Sequence, residues 1–184
     1  MVGMRRFALS FAALLAGCSP LKSFNAVLPK DGGSRLVGRD LAFASGERGR
    51  LDLYAPKGTA AGAKLPVIVF FYGGSWSSGD KDGYGFVGRA LAAQGFLVAV
   101  PDYRLVPEVR FPGFVEDGAA AVKWVRANAA RYGGDPDRLV LAGHSAGAYN
   151  AAMLALDEKW LGADRAAVKG FAGLAGPYDF LPFS

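Results

Sequence analysis

The chain has 184 residues, 52% of them apolar and 20% charged, with 26 glycines and a formal net charge of +5. This composition supports one packed domain and argues against a disordered chain. A single cysteine and a single histidine exclude an internal disulfide and a structural zinc site, and the basic residues are scattered without interleaved aromatics, so neither a metal nor nucleic acid is expected.

Arg5 and Arg6 precede the apolar run Phe7–Gly17, which closes on small residues before Cys18. That order is the signature of a secretory signal peptide over residues 1–17. The run is well short of the about 20 residues that a membrane-spanning helix needs. Leu15-Ala16-Gly17-Cys18 resembles the bacterial lipobox, in which cleavage before the cysteine leaves its thiol to carry lipid. The resemblance implies that Cys18 is lipidated and that a lipid anchor provides the membrane contact. Ser19 after it resembles the pattern sorted to the outer membrane in diderm bacteria. The expected location is the bacterial cell envelope, on the periplasmic side of the outer membrane, or otherwise outside the cell as a secreted protein.

Residues 18–35 are polar, with Pro20, Pro29 and Asp31-Gly32-Gly33, and are predicted to form a flexible tether. From Leu36 the pattern turns strand-like. Leu36–Ala44 and Arg50–Tyr54 are predicted to pair through Ser45-Gly46-Glu47. Pro66–Tyr72 is a continuous apolar run of β-branched and aromatic residues, the mark of a strand buried on both faces. Phe96–Val100, Arg138–His144 and Val168–Ala175 have the same character. Helices are predicted over Phe86–Gln94, closed by Gly95, and over Phe114–Tyr132. In the second, Val115, Ala119, Val122, Val125, Ala129 and Tyr132 fall at steps of three and four. A third helix is predicted over Ala148–Leu156. Strands alternating with helices argue an α/β fold with a mostly parallel sheet flanked by helices.

The chemistry concentrates at Gly143-His144-Ser145-Ala146-Gly147, between a predicted strand and a predicted helix. A Gly-x-Ser-x-Gly in that context is a nucleophile elbow, whose turn holds the serine at a strained backbone angle. Gly143 and Gly147 are expected to be glycines because strand and helix cross too closely for a Cβ. Ser145 is the candidate nucleophile. A second glycine-rich turn, Tyr72-Gly73-Gly74-Ser75-Trp76, follows the third strand. Tetrahedral intermediates of acyl transfer need N–H donors aimed at the oxyanion. Ala146, the residue after the nucleophile, together with Gly74 and Ser75, are the candidate oxyanion-hole donors. The base is missing: His144 adjoins Ser145, and neighbouring side chains leave a strand on opposite faces.

Pro101-Asp102-Tyr103-Arg104-Leu105-Val106-Pro107-Glu108 completes a set of three motifs. With the glycine turn and the elbow it resembles the α/β-hydrolase superfamily, and within it the carboxylesterases related to hormone-sensitive lipase and the bacterial acetyl-xylan and feruloyl esterases. Asp-Tyr-Arg-Leu-Ala-Pro-Glu is that group's usual form, so Val106 replaces Ala. Asp135-Pro136-Asp137-Arg138 before the elbow strand matches as well. The likeness runs from about Leu51 to Asp179. Tyr72 stands where the group usually has His, and Ser75 where it often has a third Gly.

The resemblance implies a serine hydrolase acting on a small-molecule carboxylic ester through an acyl-enzyme, without a cofactor. It also implies that about six of the family's eight strands are present, in residues 36–184, and that the sequence stops before the family's Asp and His. The expectation is a C-terminally truncated frame, inactive by itself. Two other readings remain: a non-catalytic lipoprotein using the hydrolase scaffold for binding, and a formamidase or peptidase of the same fold. Arg104 with Glu116-Asp117 is expected to be an ion pair fixing the loop after the fourth strand to its helix. Trp76 is expected either to line the substrate entrance or to cap the core, and Trp124 to pack. Asp179 follows the sixth strand, where a few α/β-hydrolases carry the triad acid; the resembling group places it after the seventh.

Overall fold

The two antiparallel strands β1 (Ser34–Ala42) and β2 (Arg50–Pro56) lead into β3 (Leu65–Phe71), whose last five residues are all buried. The computed structural model describes Val27 and residues 32–179. The predicted signal peptide over residues 1–17 and Cys18 lie outside the described residues. β1 begins at Ser34, so the last two residues assigned to the tether are already paired, Ser34 with Pro56 and Arg35 with Ala55.

After β3 come α1 (Gly85–Ala93), β4 (Leu97–Pro101), α2 (Gly113–Asn128), β5 (Gly134–His144), α3 (Ala146–Leu156), the single turn α4 (Glu158–Leu161) and β6 (Val168–Leu174). The strand order is β1-β2-β4-β3-β5-β6. β2 runs antiparallel to β4, and the remaining pairs, β4 with β3, β3 with β5 and β5 with β6, are parallel. This is the mostly parallel α/β sheet that the alternation of elements implied.

Both faces of the sheet are used. Phe70 and Phe71 are consecutive, so their rings leave β3 on opposite sides. Phe70 lies against Tyr84, just before α1, with ring centroids 5.9 Å apart. Phe71 reaches Gly118 of α2, where an added Cβ would come within 3.2 Å of its ring. The α2 stripe is buried as its spacing predicted, at Val115, Ala119, Val122 and Val125. The α-helix itself ends at Asn128; Ala129–Tyr132 tighten into a 3-10 turn, and Gly133 closes it at φ 85°.

β6 has the apolar sequence of a strand buried on both faces, yet it lies at the edge of the described sheet, as expected of the last strand in these residues, and Phe171 and Leu174 are 37% and 55% exposed. On the α1 side a hollow of about 530 Å³ lies over β3, β5 and β6, walled by Ile68, Phe70, Val140, Ala142 and Leu174. Continuous hydrophobicity reports what a strand would bury with neighbours on both sides. It does not report whether those neighbours are present.

The register between β3 and β5 sets the position of the chemistry. Phe71 pairs with Gly143 at the carboxyl ends of two adjacent parallel strands. The turn after β3 and the turn after β5 therefore emerge side by side, at the sheet edge where open α/β folds bind ligands.

Candidate active site

A single residue, Ser145, separates β5 from α3. Its backbone stands at φ 52° and ψ −123°, a conformation of the II′-turn type that glycine adopts freely and a side chain does not. Its N–H donates to the Leu174 carbonyl at 2.8 Å, and its own carbonyl accepts from Ala148 and Tyr149 at 2.9 and 3.3 Å. The two flanking glycines are sterically required, as expected. A Cβ on Gly143 would lie 2.3 Å from the Gly147 carbonyl oxygen, and one on Gly147 would lie 2.2 Å from that of Phe71.

The turn after β3 abuts this elbow, since a Cβ on Gly73 would sit 3.0 Å from the Ser145 Cβ. Gly74, Ser75 and Trp76 follow one another at φ 141°, 52° and 55°. Gly74 admits no side chain, because a Cβ there would fall 2.1 Å from the Ser78 carbonyl oxygen. The Gly74 carbonyl turns inward and accepts from the Ser77 and Ser78 amides, both at 3.0 Å. Among the described residues, the amides of Gly74, Ser75 and Ala146 donate to no protein acceptor. Ala146 opens α3, so its N–H has no partner within the helix and lies at the positive end of the helix dipole. The structure thus brings the four sequence-nominated residues, Ser145, Ala146, Gly74 and Ser75, to one edge of the sheet.

His144 is not brought to the serine oxygen. It is exposed, and its Nδ1 lies 3.1 Å from the Tyr84 hydroxyl, which also accepts the Gly73 N–H at 3.3 Å. Asp179 is exposed beyond β6. Arg104 and Asp117 form the structural pair that their positions implied. The Arg104 Nε and Nη2 reach the carboxylate at 2.7 to 3.1 Å, and the Arg104 amide donates to it at 2.8 Å. Trp76 caps the core: it stacks on Phe114 at 5.2 Å, meets Tyr149 edge-on at 5.5 Å, and donates from Nε1 to the Asn150 Oδ1 at 2.9 Å. Trp124 packs against the core as expected.

Sequence reasoning missed a buried polar network beneath the glycine turn. The Tyr72 hydroxyl donates to Asp102 Oδ1 at 3.0 Å and accepts from Arg48 Nη1 at 3.1 Å. Burial pushes the Asp102 carboxyl up, against the opposing pull of the Lys81 amide and the Tyr72 hydroxyl. Beside it the Lys81 ammonium pairs with Asp40 at 2.6 Å and with Asp52 and Asp82 at 3.2 Å. Burial alone would lower this ammonium, but the bond to Asp40 and the other carboxylates hold it above the ordinary lysine range. The signal for Asp102 was its place in the Asp-Tyr-Arg motif. Arg48 and Lys81 sit in turns and carry no local pattern.

The same burial shifts the tyrosines. The Tyr54 phenol is pushed up to about 12, by burial first and then by the Asp52 carboxylate. Tyr72 and Tyr103 are raised further, again chiefly by burial. Each folded-state phenol holds its proton more tightly than the unfolded chain does, so stability is lost as pH rises beyond ~10. Of the seven tyrosines, these three are expected to ionise only with alkaline unfolding. Absorbance at 295 nm followed alongside circular dichroism checks this; full tyrosinate absorbance before the loss of secondary structure would contradict it.

Residues 51–181 match the BD-FAE family model. The chain is 39% identical over 156 residues to a probable isoprenylcysteine alpha-carbonyl methylesterase, ICMEL1, of Oryza sativa subsp. japonica, covering 80% of this chain and 36% of that protein. It is 48% identical over 93 residues to carboxylesterase NlhH of Mycobacterium tuberculosis, covering 50% of this chain and 29% of the relative. In fold it is similar to esterase B from Lactobacillus rhamnosis, with a TM-score of 0.75 at 24% identity over 93% of this chain and 57% of that one. The chain spans about a third of the length of the curated relatives it matches.

Proposed function

We propose that this chain, which belongs to the BD-FAE family of α/β-hydrolase carboxylesterases, carries the nucleophile and oxyanion hole of a serine esterase. The observation that carries the reading is Ser145 held at φ 52° on a one-residue elbow beside a turn with undonated amides. Ser145 Oγ attacks the ester carbonyl carbon and passes its proton to a general base. The amides of Ala146, Gly74 and Ser75 stabilise the oxyanion, the alcohol departs with a proton, and water then releases the acid from the acyl-serine. His144, the one histidine of the sequence, is engaged by Tyr84. Among the described residues, no imidazole therefore serves Ser145 as its base.

Labelling with a fluorophosphonate probe tests this reading. In protein expressed from its complete reading frame, the probe mass is expected on the peptide containing Ser145. Labelling confined to another residue, or unchanged turnover of a short-chain p-nitrophenyl ester by Ser145→Ala, would overturn it.

We further propose that Cys18 anchors the protein to the cell envelope through lipid. One acyl chain binds membranes only marginally, so stable attachment needs more than one. Cys18→Ser is expected to move the protein from the membrane fraction to the soluble fraction or to block its processing. Mature protein that begins at another residue and bears no lipid would contradict the assignment.

A further inference from the structure

We infer that Asp102, Tyr72 and Arg48 form a buried clamp that positions the oxyanion turn, an inference that rests on the serine-esterase reading above. One carboxylate oxygen closes the whole segment. Asp102 Oδ1 accepts from the Tyr72 hydroxyl at the start of the loop, at 3.0 Å, and from the Lys81 amide at its end, at 2.8 Å. Between these two fastenings lie Gly74 and Ser75, the two loop donors. Arg48, from the turn joining β1 to β2, adds a third fastening. Its Nη1 donates to the Tyr72 hydroxyl and to the Gly79 carbonyl, each at 3.1 Å. The loop entrance is held from below by Tyr103, whose hydroxyl donates to the Tyr72 carbonyl at 2.7 Å and whose ring stacks on that of Tyr72 at 4.6 Å.

The loop needs such a frame because its own conformation is unfavourable. Three successive residues have positive φ, and two of them, Ser75 and Trp76, carry side chains. Conformers of that kind persist only where the surroundings over-determine them. The tightness of the frame also accounts for tyrosine at position 72. A phenol hydroxyl both accepts and donates, so it links the Arg48 cation to the Asp102 carboxylate in one chain of charge-assisted bonds. None of the three side chains touches the reacting atoms. They are positioning residues, acting through the backbone of Gly74 and Ser75.

Two single removals, Tyr72→Phe and Arg48→Met, test the clamp in protein expressed from its complete reading frame, with Arg48→Lys as the conservative variant. Hydrogen exchange reads the loop directly at the Ser77, Ser78 and Lys81 amides, which are bonded in the structure. Each removal is expected to speed their exchange about tenfold while the amides of β3 stay unchanged. Ester turnover is expected to fall about 10- to 100-fold in kcat with KM within about twofold, because the oxyanion contacts strengthen only in the transition state. Arg48→Lys should recover part of both losses, and the double variant should lose less than the product of the singles. Loop exchange within twofold of the parent in both single variants would overturn the clamp, as would a loss confined to KM. Failure of Ser145 to label in the unsubstituted protein would overturn the serine reading instead, and the exchange measurement would still decide the clamp.

Discussion

Ser145→Gly is expected to abolish ester turnover and to raise the melting temperature, whereas Ser145→Ala abolishes turnover without the gain. Loss of a serine nucleophile costs on the order of 10⁶ in kcat where the serine, base and oxyanion hole work as a unit. The stability difference has another origin. At φ 52° and ψ −123° any residue with a Cβ is strained, by about 1–3 kcal/mol. Glycine releases that strain but costs about 0.5–1 kcal/mol in unfolded-chain entropy. A net gain of about 1 kcal/mol would raise the midpoint by about 2–4 °C in a domain of this size. Alanine keeps the Cβ and so keeps the strain. Calorimetry on the two variants separates the effects: equal midpoints would show that the backbone strain at the elbow is no larger than the about 0.5–1 kcal/mol that glycine costs. Residual turnover in both would remove Ser145 from the nucleophile's role.

The elbow is legible in the sequence because its constraints are local. Glycine at 143 and 147 and serine between them are demanded by a crossing of strand, turn and helix that spans five residues. The three buried strands and the α2 stripe were legible for the same reason, since period and composition act over short stretches. Long-range pairings were not. Nothing near Arg48 announces that its guanidinium meets Tyr72, 24 residues on, or that Lys81 shares a carboxylate oxygen with that same tyrosine. Such contacts are set by register between strands, and register is a property of the whole sheet. β6 illustrates the converse. Its apolar residues are plain in the sequence, yet their exposure depends on what lies beside the strand rather than on the strand itself. Tyr72 lies between these cases. Its departure from the usual His was visible, but the partners that make a phenol suitable there became visible only in three dimensions.

Gly147→Ala is expected to be severely damaging for a single added methyl, costing about 3 kcal/mol in stability through overpacking and at least about 100-fold in turnover through misplacement. The added Cβ would meet the Phe71 carbonyl oxygen at 2.2 Å and that of Tyr72 at 2.4 Å. Both are backbone atoms at the end of β3, a strand paired on both sides, and they have no free direction in which to yield. Relief has to come from α3, whose first turn would lift away from the sheet. That movement separates the Ala146 amide, on the helix, from the Gly74 and Ser75 amides, on the loop that continues β3. The proposed oxyanion hole is built across that gap, so packing and catalysis are expected to fail together. Gly170→Ala is the control. There the nearest atoms are Val140 methyls at 3.7 and 3.9 Å, an ordinary contact, and the change should stay within about 0.5 kcal/mol as surface substitutions do. Urea melts of the two variants, with turnover measured under native conditions, check the pair. A Gly147→Ala protein that unfolds at the parent's denaturant concentration would show that α3 can shift without cost, and the steric account of the elbow would be wrong.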